Sequence, residues 1–301
     1  MTPAPRVSLR DSIPLKSPFT IYIEPTNVCN FKCHFCPESF VDFKTKTDYY
    51  GQMQVWLLDK VVNNIKDFPE QPKVIRPFLM GEPFLSRDIL VLLGKVRPLC
   101  GRLEITTNGS ILNSITAQFL TNLPLNLIRV SVYGTTNTIY QEQTGQSYHT
   151  IEKILNNIKT LKMIRSKRML PLIQAELVTT VPNQESRFLE QWSEIADYCT
   201  IKTIHNWGAN LVQLGTRDQS KRCCPFPFYE MFIKANGDVT VCTADWDGKL
   251  KVGSLLTHSL VEIWNSPKLR WLQETHLNGL RNQIPQCAEC NVIYCGPDDL
   301  D

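Results

Sequence analysis

Three cysteines stand close together in the stretch CNFKCHFCPES, at Cys29, Cys33 and Cys36. A flexible loop can turn thiolates at C-x3-C-x2-C spacing toward one small centre. A structural zinc ion takes four protein ligands. His34 is the neighbouring option for the fourth, but it adjoins Cys33, and a short loop must bend sharply for both to bind. A catalytic zinc with three protein ligands and a water also fits the count. So does an iron–sulfur cluster, in which three cysteines leave one iron open to a small molecule's amine and carboxylate. Three unrelated buried thiols are the plain alternative.

A second group lies near the C-terminus, at Cys224, Cys242, Cys287 and Cys290. The last two form C-x2-C, and a hairpin between Cys224 and Cys242 brings those two together. Zinc and a four-cysteine iron–sulfur cluster both suit this set. A short C-terminal region has little core of its own, and a metal centre would tie it down. Cys295 is left over; it can replace a ligand, donate a hydrogen atom or fill buried space. Cys100 and Cys199 end apparent elements and read as core thiols.

The chain has 301 residues, 43% hydrophobic and 20% charged, enough for one large domain and a small appendage. Its net charge of +3 gives no support for a nucleic-acid binder. No run reaches the ~20 apolar residues that span a bilayer. The N-terminus lacks the apolar core of a signal peptide, so a cytoplasmic location is the default. With 11 cysteines clustered rather than spread, a reducing compartment points to metal rather than disulfides.

Strand-like runs cover 19–25, 73–80, 101–110, 125–134, 170–180 and 201–208. Helical periodicity covers 53–68, 87–98, 111–122, 149–167 and 184–199. This alternation predicts parallel strands with an outer helical layer, six units rather than the eight of a closed barrel. The expected fold is α/β, a partial (β/α)6 barrel with a small C-terminal domain. The expected divisions are a lead-in at 1–18, the barrel at 19–208 and the appendage at 209–301. Within the last, 229–242 reads as a hairpin turning at Asn236–Gly237, and 259–279 as a helix broken near Ser266–Pro267. The cysteine loop, Gly81–Glu82–Pro83, Asn108 and Ser131 all follow strand C-terminal ends, the edge where α/β folds bind ligands.

EPTNVCNFKCHFCPES resembles the cluster loop of radical S-adenosylmethionine enzymes. Gly81–Glu82–Pro83 resembles that family's glycine–glutamate–proline motif, although Met80 stands where many members have glycine. TTNG at 106–109 and SVYG at 131–134 resemble its later strand ends. The likeness covers roughly residues 20–208. CPFPFYEMFIKANGDVTVC, then KVGSLLTHSLVEIWNSPKLRWLQ, then CAEC resembles the auxiliary-cluster extension called SPASM, in its shortened single-cluster form, twitch. The resemblance favours Cys224 over Cys223 as the ligand.

The resemblance implies two [4Fe-4S] clusters. The first, at Cys29, Cys33 and Cys36, would bind S-adenosylmethionine; the auxiliary one would sit at Cys224, Cys242, Cys287 and Cys290. It implies that Phe35 packs near adenine and that Glu82, beside Gly81, binds the methionine amino group. Asn108 and Ser131 are expected at the methionyl or ribose part, and Arg165 at the carboxylate. Reductive cleavage would yield a 5′-deoxyadenosyl radical that abstracts hydrogen from a substrate, fed by an external one-electron donor such as flavodoxin or ferredoxin.

The single auxiliary site resembles the small dehydrogenases that oxidise an aminocyclitol. The expected reaction is two-electron oxidation of a hydroxyl-bearing carbon in a small polar cyclitol, sugar or aminoglycoside-like intermediate, the electron passing to the auxiliary cluster. Alternatives are a small-molecule epimerase with a thiol hydrogen donor such as Cys295, a ribosomal-peptide maturase and a zinc-stabilised non-enzymatic module. With roughly 18 residues before the first strand, no leader-peptide recognition domain is expected there, and a separate recognition protein could supply that role. His205 is the expected proton acceptor, because imidazole titrates near neutrality. Asp245 or Asp247, in the turn-like ADWDG run, is the alternative acceptor, with a solvated turn residue as the plain reading; Tyr133, Asn206, Trp207 and Arg217 are further expected neighbours of substrate.

Overall fold

A computed structural model describes residues 7–147, 149–165, 170–202, 204, 222–288, 290 and 300. Among the described residues nine strands form one sheet: β1 (Thr20–Ile23), β2 (Val74–Arg76), β3 (Arg102–Thr107), β4 (Leu127–Val132), β5 (Leu172–Val178), β6 (Tyr198–Lys202), β7 (Glu230–Ile233), β8 (Asp238–Thr240) and β9 (Gly253–Ser254). Their order is β6-β5-β4-β3-β2-β1-β7-β8-β9. β1 to β6 pair in parallel with sequential neighbours, as the alternation predicts.

Helices Val55–Lys66, Ile89–Val96, Ser114–Asn122, Thr150–Arg165 and Glu185–Trp192 connect the strands. Each turns an apolar stripe inward, for example Leu58, Val61 and Ile65, or Ile154, Ile158 and Leu161. Against them lie fully buried Ile105, Ile128, Val130 and Ala175 of the strands. Each fully buried Leu, Ile or Val contributes roughly 1.5–3 kcal/mol.

Three features differ from the sequence reading. Helix 184–199 ends at Trp192, and β6 begins at Tyr198. Asp197 causes the change: its N–H donates to Ile173 O at 2.8 Å, and its carboxylate accepts from Ile173 N at 2.6 Å, drawing the chain into the ladder. An additional helix, Asn137–Thr144, follows β4. Thr136 caps its start by accepting from Ile139 N, and Gly145 ends it with φ 65°, a conformation costly for residues with a Cβ.

The third difference concerns the C-terminal hairpin. It is β7–β8, as expected, yet β7 also pairs in parallel with β1, from Thr20↔Glu230 to Ile23↔Ile233. The barrel sheet therefore continues into the C-terminal region. The division expected near residue 210 lies outside the described residues. The helical stretch 259–279 splits into Leu260–Trp264 and Pro267–Leu277, each started by a serine cap, Ser259 and Ser266.

Asp197 also pairs with Arg165, whose Nη2 lies 2.9 Å from Oδ1. Burial alone would raise the Asp197 carboxyl, but the bonds from Arg165 and Ile173 outweigh it and hold the group below its usual range. A depressed carboxyl stabilises the fold above its unfolded value and loses that contribution as pH falls through its folded value. Asp197→Ala is expected to cost about 2 kcal/mol near pH 7. Denaturant midpoints should show this cost, and the gap to wild type should narrow as pH drops below the ordinary aspartate range.

Candidate functional site

The cysteine loop leaves the end of β1 without regular structure, so its shape rests on outside contacts. Lys32 N donates to Thr144 O at 2.9 Å and His34 N to Gln143 O at 3.2 Å, tying the loop to the helix after β4. Asn30 Nδ2 donates to Ser110 Oγ, and Asn108 Nδ2 to Asn30 Oδ1, both at 2.9 Å, tying it to the end of β3. Glu82 N donates to Val28 O at 3.0 Å. Gly81 makes this approach possible: a Cβ there would lie 2.4 Å from Thr26 O and 2.7 Å from Val28 O.

These contacts shape a cavity of about 390 Å³ at the C-terminal edge of the strands. Cys29, Cys33, Cys36, Phe35, Gly81, Glu82, Asn108 and Ser131 all line it. Tyr133 lines it too, its ring centroid 5.6 Å from that of Phe35. His34 does not; it is exposed, with Nε2 3.3 Å from Thr180 Oγ1. Arg165 is not among the lining residues either. It donates to Pro171 O at 2.8 Å and pairs with Asp197. His205 and Cys295 lie outside the described residues, as do Asn206, Trp207 and Arg217.

Burial pushes the Cys36 thiol up to about 11 and Cys29 to about 12. Cys33 is raised well above its usual range, by burial first and then by repulsion from Cys36 and Cys29. Thiols in such surroundings stay protonated unless a metal takes them, so the donor set suits a thiophilic centre. Glu82 is buried and accepts from Thr107 Oγ1 at 2.7 Å, Asn108 N at 2.8 Å and Phe84 N at 3.2 Å. Burial nevertheless pushes its carboxyl up to about 7. A buried carboxylate facing a cavity is completed by a cation such as an ammonium group.

A second, apolar void of about 30 Å³ is lined by Cys224, Cys242, Cys287 and Cys290. Burial raises Cys224, Cys242 and Cys287 toward the neutral thiol, and repulsion from neighbouring thiols raises each of them further. Cys224 N donates to His276 Nδ1 at 3.2 Å. Cys223 packs instead with Leu9, Phe228 and Leu300. Asp245 also lines the void. It is buried rather than solvated, accepting from Thr240 Oγ1 and from Leu250 N at 3.0 Å. Among the described residues no three His, Cys, Asp or Glu side chains converge on a single metal-ion position. Cys242 faces this void while its neighbour Thr243 lines the large cavity, so the two sites share a wall.

Sequence reasoning missed Tyr22, Arg76, Arg129, Glu176 and Lys202, which also line the large cavity. The available signal was charge at alternate positions of otherwise apolar strands, as in Arg129–Ser131–Tyr133 and Gln174–Glu176–Val178.

Residues 23–174 match the Radical SAM superfamily, and residues 223–291 match SPASM, described as an iron–sulfur cluster-binding domain. A tungsten-containing aldehyde ferredoxin oxidoreductase cofactor-modifying protein of Pyrococcus furiosus is 27% identical, over 90% of this chain and 87% of that protein. An S-adenosyl-L-methionine-dependent 2-deoxy-scyllo-inosamine dehydrogenase of Niallia circulans is 20% identical, over 91% and 92%. Among solved structures, BtrN in complex with AdoMet and 2-DOIA shares the fold with TM-score 0.63 and 19% identity, covering 91% of this chain and 92% of that one. Streptococcus suis SuiB bound to precursor peptide SuiA gives TM-score 0.69 and 16% identity, covering 95% and 72%.

Two outcomes follow from the geometry. Cys224→Ser should lower bound iron by about four per chain, the content of one cube, whereas Cys223→Ser should leave it unchanged; anaerobic iron and sulfide analysis reads both. Glu82→Gln should weaken S-adenosylmethionine binding at least tenfold, about 1.4 kcal/mol, with iron content unchanged, as measured by equilibrium dialysis.

Proposed function

Because this chain belongs to the radical SAM superfamily, we propose that it oxidises a hydroxyl-bearing carbon of a small polar biosynthetic intermediate to a carbonyl. It is a radical SAM oxidoreductase with a partial barrel and a C-terminal SPASM-type region. A cyclitol, sugar or aminoglycoside-like compound is the substrate class. The likeness to a 2-deoxy-scyllo-inosamine dehydrogenase over most of both chains supports this class.

When bound, the reduced cluster and S-adenosylmethionine would supply a hydrogen-abstracting oxidant. Cys29, Cys33 and Cys36 would hold the first [4Fe-4S] cluster, and Glu82 would hold the amino group of S-adenosylmethionine. Phe35 and Tyr133 wall the cavity with aromatic surface and limit water. Asn108 lends its N–H to Glu82 and its side chain to the cysteine loop, so it orients both. Cys224, Cys242, Cys287 and Cys290 would hold the second [4Fe-4S] cluster as electron acceptor.

The shared wall at Cys242–Thr243 is the observation that carries the reading. It offers the substrate's electron a short exit without a nicotinamide. An external carrier such as flavodoxin or ferredoxin would reduce the first cluster, and a cytoplasmic setting would keep the thiols reduced. No helix among the described residues is long and apolar enough to cross a membrane.

The test is anaerobic turnover with dithionite, S-adenosylmethionine and a panel of cyclitols and aminocyclitols in deuterated water. One carbonyl product per 5′-deoxyadenosine, free of solvent deuterium, is expected. An inverted alcohol carrying deuterium would instead establish an epimerase. Turnover of a precursor peptide, with none of the small polyols oxidised, would establish a peptide maturase.

A further inference from the structure

The cavity floor is charged, and its charges do not balance. Arg129 of β4, Glu176 of β5 and Lys202 of β6 all line it. Strand register brings them together, since Arg129 is opposite Gln174 and Lys202 is opposite Val178, the residues flanking Glu176 on the same face. Glu176 Oε1 lies 3.7 Å from Arg129 Nε, and Oε2 lies 3.6 Å from Lys202 Nζ. Both separations exceed hydrogen-bond length.

Neither cation has another carboxylate among the described residues. Arg129 Nε donates to Gln174 Oε1 and Nη1 to Thr106 Oγ1, both neutral acceptors at 3.1 Å, and Nη2 has no hydrogen-bond partner among the described residues. Glu176 accepts no hydrogen bond among them.

The other charges nearby do not supply the missing anion. Arg76 is matched below the cavity by Glu104 at 3.0 Å and Glu230 at 3.9 Å. Glu82 is engaged at the cysteine end, and both oxygens of Glu38 take the Lys32 ammonium. The segment 205–221 that follows β6 contains Arg217, Asp218 and Lys221, so its composition brings no net negative charge. Two cations thus share one carboxylate, Arg129 largely buried and Lys202 reaching solvent. The Arg129 charge is left incompletely paired, which is costly away from water, and a ligand anion would relieve it.

We infer that the substrate carries an anionic oxygen group, a carboxylate or a phosphate, seated between Arg129 and Lys202. Arg129 offers a planar fork to such a group and Lys202 a point charge. Glu176 then holds the two cations apart and accepts from a neighbouring substrate hydroxyl. This rests on the reading of the cavity as the reaction chamber. It narrows the substrate class from polar polyols to acidic ones, in contrast to an amine-bearing cyclitol.

The test is calorimetric titration of the anaerobic holoenzyme, with S-adenosylmethionine bound, against four ring polyols. These are myo-inositol (neutral), quinate (carboxylate), myo-inositol 1-phosphate (phosphate) and 2-deoxy-scyllo-inosamine (ammonium). One anionic probe should bind at least tenfold more tightly than the neutral and ammonium probes, and which one identifies the group. Lys202→Gln and Arg129→Gln should each remove at least tenfold of that affinity, and Lys202→Arg should retain it. If Arg129→Gln fails to fold for want of its bonds to Thr106 and Gln174, the half-exposed Lys202 carries the test alone. The inference is overturned if the ammonium probe binds tightest, if neither anion binds more tightly than myo-inositol, or if the substitutions leave anion binding unchanged. Cleavage of S-adenosylmethionine under dithionite is followed on the same preparations. Its absence with anion binding intact would sink the proposed reaction and not this inference.

Discussion

The molecule depends on how the turn at Met80–Glu82 seats against the cysteine loop. Between Cys29 and Cys36 that loop has no strand or helix of its own, so its position is inherited from this contact and from those to Gln143, Thr144, Asn108 and Ser110. Gly81 allows backbone to meet backbone where a Cβ would overlap Thr26 O, and the Glu82 N–H is satisfied by Val28 O. Glu24, fully buried at the end of β1, accepts from Met80 N at 3.3 Å and from Ala235 N at 3.0 Å. Burial raises its carboxyl, and Lys234 opposes that rise. One carboxylate therefore sets both the turn carrying Glu82 and the turn after β7, which leads toward Cys242. Unmaking a buried bond of this kind costs the desolvation of the group left behind, so loop, turn and hairpin behave as one unit.

The same economy governs the barrel interior. A closed eight-stranded barrel fills its centre with branched apolar side chains. Here six parallel strands leave an open trough, and inward positions carry Arg76, Glu104, Arg129, Gln174 and Glu176. All but Glu176 find hydrogen-bond partners laterally, from strand to strand: Arg76 with Glu104, Arg129 with Gln174 and Thr106, and Gln174 Nε2 with Thr200 Oγ1 at 2.8 Å. Apolar packing against the helices lies on the opposite face, so polarity inside does not cost the sheet its core. The result is a chamber whose walls offer polar groups and which the cysteine loop lines.

The pairing of β7 with β1 joins the two thiol groups into one arrangement. Without it the C-terminal region would be a separate appendage. With it, Cys242 and Thr243 face two different cavities across a single stretch of backbone. A parallel pairing between residues so distant in sequence needs a long connection, and only the assembled sheet edge at β1 offers the partner.

Sequence alone determined the alternation of strands and helices, the three-cysteine spacing, the Gly81–Glu82–Pro83 turn and the late C-x2-C pair. Each is written in short-range periodicity or in ligand spacing, which a few neighbouring residues encode. Tertiary structure decided the rest. It drew Arg165 to Asp197 instead of the cavity, ended the last helix at Trp192 so that Asp197 could enter the ladder, and set Cys224 against the void while Cys223 packed with Leu9. It also gathered Arg129, Glu176 and Lys202 on one floor. Those outcomes turn on which strand lies beside which and in what register, and that is settled by packing across the whole sheet rather than by any local run of residues.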